Sequence, residues 1–116
     1  MRRDDAYLLD MLTAAREAIS LTSGLTRELF LTSRLHQLAV IKLIETIGEA
    51  ASRISTGTSA VHPEIPWSEI VGIRNRLVHG YFEISLERVW DTLQNDIPPL
   101  ISLLDPLVPP ESSDSE

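Results

Sequence analysis

Apolar residues recur along this chain at three- and four-residue spacing almost throughout, and no stretch shows the period of two expected of a half-buried strand. From Asp4 or Asp5, either of which suits an N-cap, Tyr7, Leu8, Met11, Leu12, Ala15 and Ile19 mark one face of a first helix. That helix should stop near LTSG, where Gly24 can take the left-handed conformation that closes a helix. A short turn of helix is expected from Thr26 through Phe30. The longest helix then runs roughly from Thr32 to Ile54, with Leu35, Leu38, Leu43, Ile44, Ile47 and Ala51 on its stripe. Val40 and Ile41 widen that stripe beyond one face, the pattern of a helix buried centrally or met by a second chain.

The segment STGTSAVHPEIP reads as a loop, punctuated by Gly57, Pro63 and Pro66. Pro66 suits the start of a third helix carrying Trp67, Ile70, Ile73, Leu77 and Val78, with its end expected at Gly80. Ser85 caps a fourth helix with Leu86, Val89, Trp90, Leu93 and Ile97 on one side. Pro98 and Pro99 kink or break it, and LISLLDPLV continues as one more apolar helical piece. The predicted fold is all-α, an antiparallel four-to-five-helix bundle. Residues 1–108 form one domain in this reading, and residues 109–116 a disordered acidic tail.

Composition narrows the function classes. A chain of 116 residues supports a single hydrophobic core. It has no cysteine, which excludes disulfides, thiolate metal sites and cysteine nucleophiles. Charged or polar residues interrupt every apolar run before it reaches membrane-spanning length, and the start, MRRDDAYLLD, does not read as a signal peptide. A cytoplasmic protein with no membrane contact is the expectation. The net charge is −7; setting aside Glu111, Asp114 and Glu116 of the tail leaves 14 acids against 10 bases. An acidic body argues against coating nucleic acid non-specifically, because phosphate backbones are bound through cationic surface. Any contact with nucleic acid has to be local.

One segment supplies such a locality. GIRNRLVHGYF, Gly72 to Phe82, gathers Arg74, Asn75, Arg76, His79 and Tyr81 with no acid among them. Around a regular helix Arg74 and His79 would lie about 140° apart and could not reach one point. The helix can end at His79–Gly80 and free the histidine, or a second copy of the helix can face the first across a two-fold axis. Chemically the set suits phosphate. Arg74 can fork onto two oxygens, and His79 exchanges protons near neutral pH. Together they can cleave RNA without metal: an imidazole takes the 2′-OH proton and the guanidinium holds the charge building on phosphorus. Asn75, four residues before His79, can orient the imidazole or bind the phosphate in support. The ordinary readings stand beside this one. A helix-terminal histidine can complement the dipole, Tyr81–Phe82 can be aromatic packing, and Arg76 can be solvated or ion-paired. His36 and His62 fall into no recognisable metal motif, so no metal and no cofactor are expected. Glu49 is either a partner for a motif arginine or a solvent-facing carboxylate.

RNRLVHGY resembles the Arg-x4-His-x-Tyr signature of the HepT-like branch of the HEPN family, with Arg74, His79 and Tyr81 at the required spacing. The likeness extends to RRDDAYLLDML, LIETIGEAASRIS, HPEIPWSEIVGIRN and VWDTLQNDIPPL, although the acidic tail and double proline look peculiar to this chain. The resemblance implies an all-α homodimer whose motif helices line a cleft between protomers. It further implies a metal-independent RNase acting as the toxin of a two-gene toxin–antitoxin module. Arg74 and His79 become the catalytic pair. The implied partner is a minimal nucleotidyltransferase antitoxin that silences the toxin by transferring AMP to Tyr81, placing a bulky anion in the cleft. A rival reading keeps the same residues in a non-catalytic module that presents nucleotide or substrate to a nucleotidyltransferase. A third has the motif merely stapling a dimer together.

Overall fold

The computed structural model of the chain describes residues 3–79 and 83–109. Helix α1 spans Asp4–Leu21 and α2 Arg27–Thr32, and Gly24 between them has φ +79, the left-handed geometry expected of it. Thr26 caps α2 by accepting from Leu29 N–H at 3.1 Å. Helix α3, Arg34–Ser52, begins at Ser33, whose hydroxyl accepts from His36 N–H at 3.3 Å. The buried Gln37 side chain donates to Phe30 O at 2.9 Å, so the end of α2 is satisfied from within α3.

Several elements depart from the periodicity reading. The segment taken as loop contains a helix, α4, Thr56–Val61, capped by the Ser55 hydroxyl. Neither Asp4 nor Asp5 caps α1, because the Asp4 carboxylate reaches out of its own helix to the Ser55 N–H (3.1 Å), the Ser55 hydroxyl (2.6 Å) and the Thr58 hydroxyl. The third helix is broken at Gly72 into α5, Trp67–Val71, and α6, Ile73–Leu77. It ends at Leu77 rather than at Gly80. Val78–His79 and Glu83–Ile84 form a two-residue antiparallel ladder, β1 and β2, which no alternating pattern announces. Ser85 caps α7, Leu86–Asn95, as expected. The chain breaks at Asp96, just ahead of the prolines as expected, and they sit in the first turn of α8, Ile97–Leu104, where a missing N–H costs nothing. A 3-10 turn, Asp105–Leu107, follows, and Arg16 pairs with Asp105 to tie it to α1. The outcome is an all-α bundle with one small hairpin inserted.

Helices α1 and α3 lie along each other as the spine, with α8 against α1 and the α5–α6 pair against α3. Two apolar clusters fill the interior. Met11, Ala15, Ile47, Ala51, Ile97 and Leu104 anchor one; Phe30, Val40, Ile44, Leu77, Val89 and Leu93 anchor the other. Each fully buried Val, Leu, Ile, Met or Phe among them contributes about 1.5–3 kcal/mol of transfer free energy. Helix α3 feeds both clusters through Ile44 and Ile47, which explains its wide stripe. Its first turns differ: Leu35 is 76% and Leu38 50% exposed, so these two expected core positions face outward. No described helix is long and apolar enough to cross a membrane.

Candidate active site

Backbone contacts put the motif at a junction. Gly48 of α3 sits under α5–α6 so closely that an added Cβ would lie 3.1 Å from Ile70 O and 3.2 Å from Ile73 Cγ2. A side chain there would make these contacts tight, and the neighbours would have to give by a few tenths of an ångström. Ile73 and Leu77 of α6 turn inward and are buried, which leaves Arg74, Asn75 and Arg76 exposed. Five residues cannot hold a helix by hydrogen bonding alone, so α6 owes its geometry to those two apolar anchors.

Arg74 points to α3. Its Nε donates to Glu45 Oε2 at 3.2 Å, and its side chain remains 66% exposed. Around it lies a shallow hollow of about 380 Å³ lined by Glu45, Gly48, Glu49, Ser52, Val71 and Ile73, within the range of small-ligand sites. Arg76 points the other way, to Asp96 at the α7–α8 joint, with Nη1 to Oδ2 at 3.3 Å. It borders a smaller, apolar groove of about 150 Å³ between α5–α6 and α8. The structure therefore separates Arg74 from Arg76 and gives Arg76 the ion-paired surroundings that were one reading of it. Glu49 pairs with Arg53 at 3.6 Å and not with a motif arginine. The carboxylate that holds Arg74 is Glu45, one turn earlier on α3. Helical spacing puts Glu45 and Glu49 on one face, but nothing in the sequence chooses between them. The choice comes from where α6 crosses α3.

His79 follows directly on a change of backbone. Val78 has φ −83 and ψ 141, so the chain is already extended where the motif histidine begins. The helix ends three residues ahead of the expected Gly80, so extended backbone and not the helix carries His79. Three hydrogen-bonded attachments hold the extended piece. Ser85 N–H donates to Leu77 O at 2.7 Å, Arg88 Nη1 donates to Val78 O at 2.6 Å, and His79 pairs with Glu83 in the ladder. Ser85 thus caps α7 and fastens the end of α6 with one residue. The His79 side chain and Tyr81 lie outside the described residues, as does the tail from Pro110.

What this arrangement offers is a guanidinium whose Nε is occupied and whose two terminal nitrogens have no partner among the described residues. That is the half of arginine that forks onto two oxygens of a phosphate.

Comparison with known proteins agrees with this reading. The family model described as "Ribonuclease HepT-like" matches residues 11–107. The chain is 41% identical over 95 residues to a Thermococcus cleftensis protein named "Probable ribonuclease HepT", covering 78% of this chain and 86% of that protein. It is 36% identical over 93 residues to a Methanocaldococcus jannaschii protein named "Putative RNase MJ1380", covering 80% and 85%. It is also 30% identical over 100 residues to a Caldanaerobacter subterraneus protein named "Putative RNase TTE0752", covering 86% and 89%. No solved structure matches. With residues 11–107 matched by the family model, this protein belongs to the ribonuclease HepT-like family, and RNA cleavage is its class of activity.

Proposed function

We propose that the chain is a metal-independent endoribonuclease toxin in which Arg74 and His79 cleave RNA within a cleft shared by two copies. The observation that carries this reading is the Arg74 guanidinium, exposed, held at Nε and with no partner at its terminal nitrogens among the described residues. In the reaction a 2′-oxygen, losing its proton to an imidazole, bonds to the adjacent phosphorus while the bond to the 5′-oxygen breaks. The proton is returned to that leaving oxygen, giving a 2′,3′-cyclic phosphate and a 5′-hydroxyl. Arg74 stabilises the charge on the phosphorane oxygens, with Asn75 in support. Arg76, turned away from Arg74 and paired with Asp96, takes no direct part in this step.

A shared cleft is supported by the exposed Leu35 and Leu38 at the start of α3. Leu38 lies two turns before Glu45 on the same helical face, so the apolar patch adjoins the site, and a second copy covering it would bring two motifs together. The same reading gives the cytoplasmic protein a nucleotidyltransferase antitoxin as partner. AMP transferred to Tyr81, two residues from His79, would compete with RNA phosphate for Arg74.

The test is cleavage of single-stranded RNA by purified protein with EDTA present. Arg74→Ala and His79→Ala each lower the rate by about 100-fold or more, with the melting transition unchanged. Tyr81→Phe keeps cleavage but accepts no AMP from the cognate transferase. Parental rates in either of the first two variants reject the catalytic pair, and AMP incorporated elsewhere in Tyr81→Phe rejects the regulation. Large losses of stability in the first two would favour the dimer-stapling role instead.

A further inference from the structure

We infer that Glu45 is a positioning residue of the cleavage site, one that aims the Arg74 guanidinium at phosphate; the inference rests on the reading of Arg74 given above. A free arginine on a five-residue helix has many rotamers of similar energy, and Arg74 is 66% exposed. Glu45 belongs to a different class of support. It stands in the middle of the 19-residue α3, only 34% exposed, between buried Ile44 and Ile47. Its Oε2 accepts from Nε at 3.2 Å. Nε is the one guanidinium nitrogen whose capture fixes the plane of the group while leaving Nη1 and Nη2 free to fork.

Stability is a poor explanation for the pair. Ion pairs between groups this exposed add little to folding free energy, because water and salt screen them. Its effect lies in orientation, and Gly48 on the next turn supports that effect by setting how near α6 comes to α3. The orientation needs an acceptor more than a charge, so a neutral hydrogen-bond acceptor in its place retains most of the effect and an alanine none.

The experiment measures kcat and KM of full-length Glu45→Ala, Glu45→Gln, Arg74→Lys and Glu45→Ala/Arg74→Lys on a fluorescently labelled single-stranded RNA of mixed sequence, with EDTA present. Misplacing one reacting or stabilising group lowers kcat by about 100-fold, so Glu45→Ala falls by that order with little change in KM or melting transition. Glu45→Gln recovers most of the loss. Arg74→Lys, which has no Nε to be held, is impaired by itself, and adding Glu45→Ala to it changes kcat by less than about twofold. Glu45→Ala cleaving at or above the parental rate overturns the inference, and a faster enzyme would mean that Glu45 competes with phosphate for Arg74. A full additional loss in the double variant also overturns it, by showing that Glu45 acts without Arg74. If Arg74→Lys and Arg74→Ala both cleave normally, the underlying reading fails, an outcome distinct from a failure of Glu45 alone.

Discussion

Arg74 and His79 stand five residues apart, yet the fold holds them by unlike means. The arginine end is helical, and its side chain is gripped by the Glu45 side chain from α3. The histidine end is extended, and there it is the backbone that is gripped, through Leu77 O, Val78 O and the ladder to Glu83. A long flexible side chain has to be fixed near its tip, whereas a short one is directed by the backbone that carries it. The difference assigns the two ends to different neighbours. Helix α3 governs the arginine, and Ser85 with Arg88 of α7 governs the histidine.

Gly48→Ala attacks the arginine end and has the larger expected effect. Alanine gains about 1 kcal/mol of helix propensity over glycine, but overpacking against Ile70 O and Ile73 Cγ2 costs about 1–3 kcal/mol. Urea denaturation should show a net loss of up to about 2 kcal/mol, with cleavage falling further than the unfolded fraction explains. A variant more stable than its parent would show slack in that contact and remove Gly48 from the account.

Arg88→Ala attacks the histidine end. Losing an exposed, charge-assisted bond to Val78 O costs about 0.5–1 kcal/mol, so global stability hardly moves. Hydrogen exchange at the β1–β2 amides should quicken while exchange in α3 stays as before. Equal acceleration in both would mean the two ends are one cooperative unit, and the contrast drawn here would be lost.

Asp4→Asn disturbs neither end and serves as the reference. Hydrogen bonds from the Ser55 hydroxyl, the Thr58 hydroxyl and the Ser55 N–H hold the Asp4 carboxyl below its ordinary value. A depressed folded-state value means stability that is present above the unfolded-state pKa of about 3.9 and is lost as pH falls through the folded one. The parent should therefore exceed Asp4→Asn modestly at neutral pH, and the gap should close in acid. Cleavage at neutral pH should be the same in both. A gap that widens on acidification would contradict the hydrogen-bonding pattern.

The larger part of this fold was readable from periodicity. Helices α1, α3 and α7, the short turn of helix after Thr26, the left-handed Gly24 and the capping role of Ser85 all follow from residue spacing and turn chemistry. The misreadings cluster where local pattern is weak. Helix α4 has no buried residue and so no apolar stripe; it stands on Ser55 and on the Asp4 carboxylate brought from 51 residues away. The third helix shows unbroken periodicity on paper, yet Gly72 divides it and β1 begins at Val78. Leu35 and Leu38 carry the correct period for a core they do not enter.

By itself the sequence determined the all-α class and the motif at Arg74, His79 and Tyr81, because helical periods, caps and short spacings are properties of neighbours along the chain. Tertiary structure alone decided that Glu45 and not Glu49 meets Arg74, that Arg76 turns to Asp96, and that the helix ends in time to free His79's backbone. Those outcomes depend on which turn of α3 lies under α6 and on the close approach at Gly48. Such crossings are set by packing between residues far apart in sequence, which no local spacing encodes.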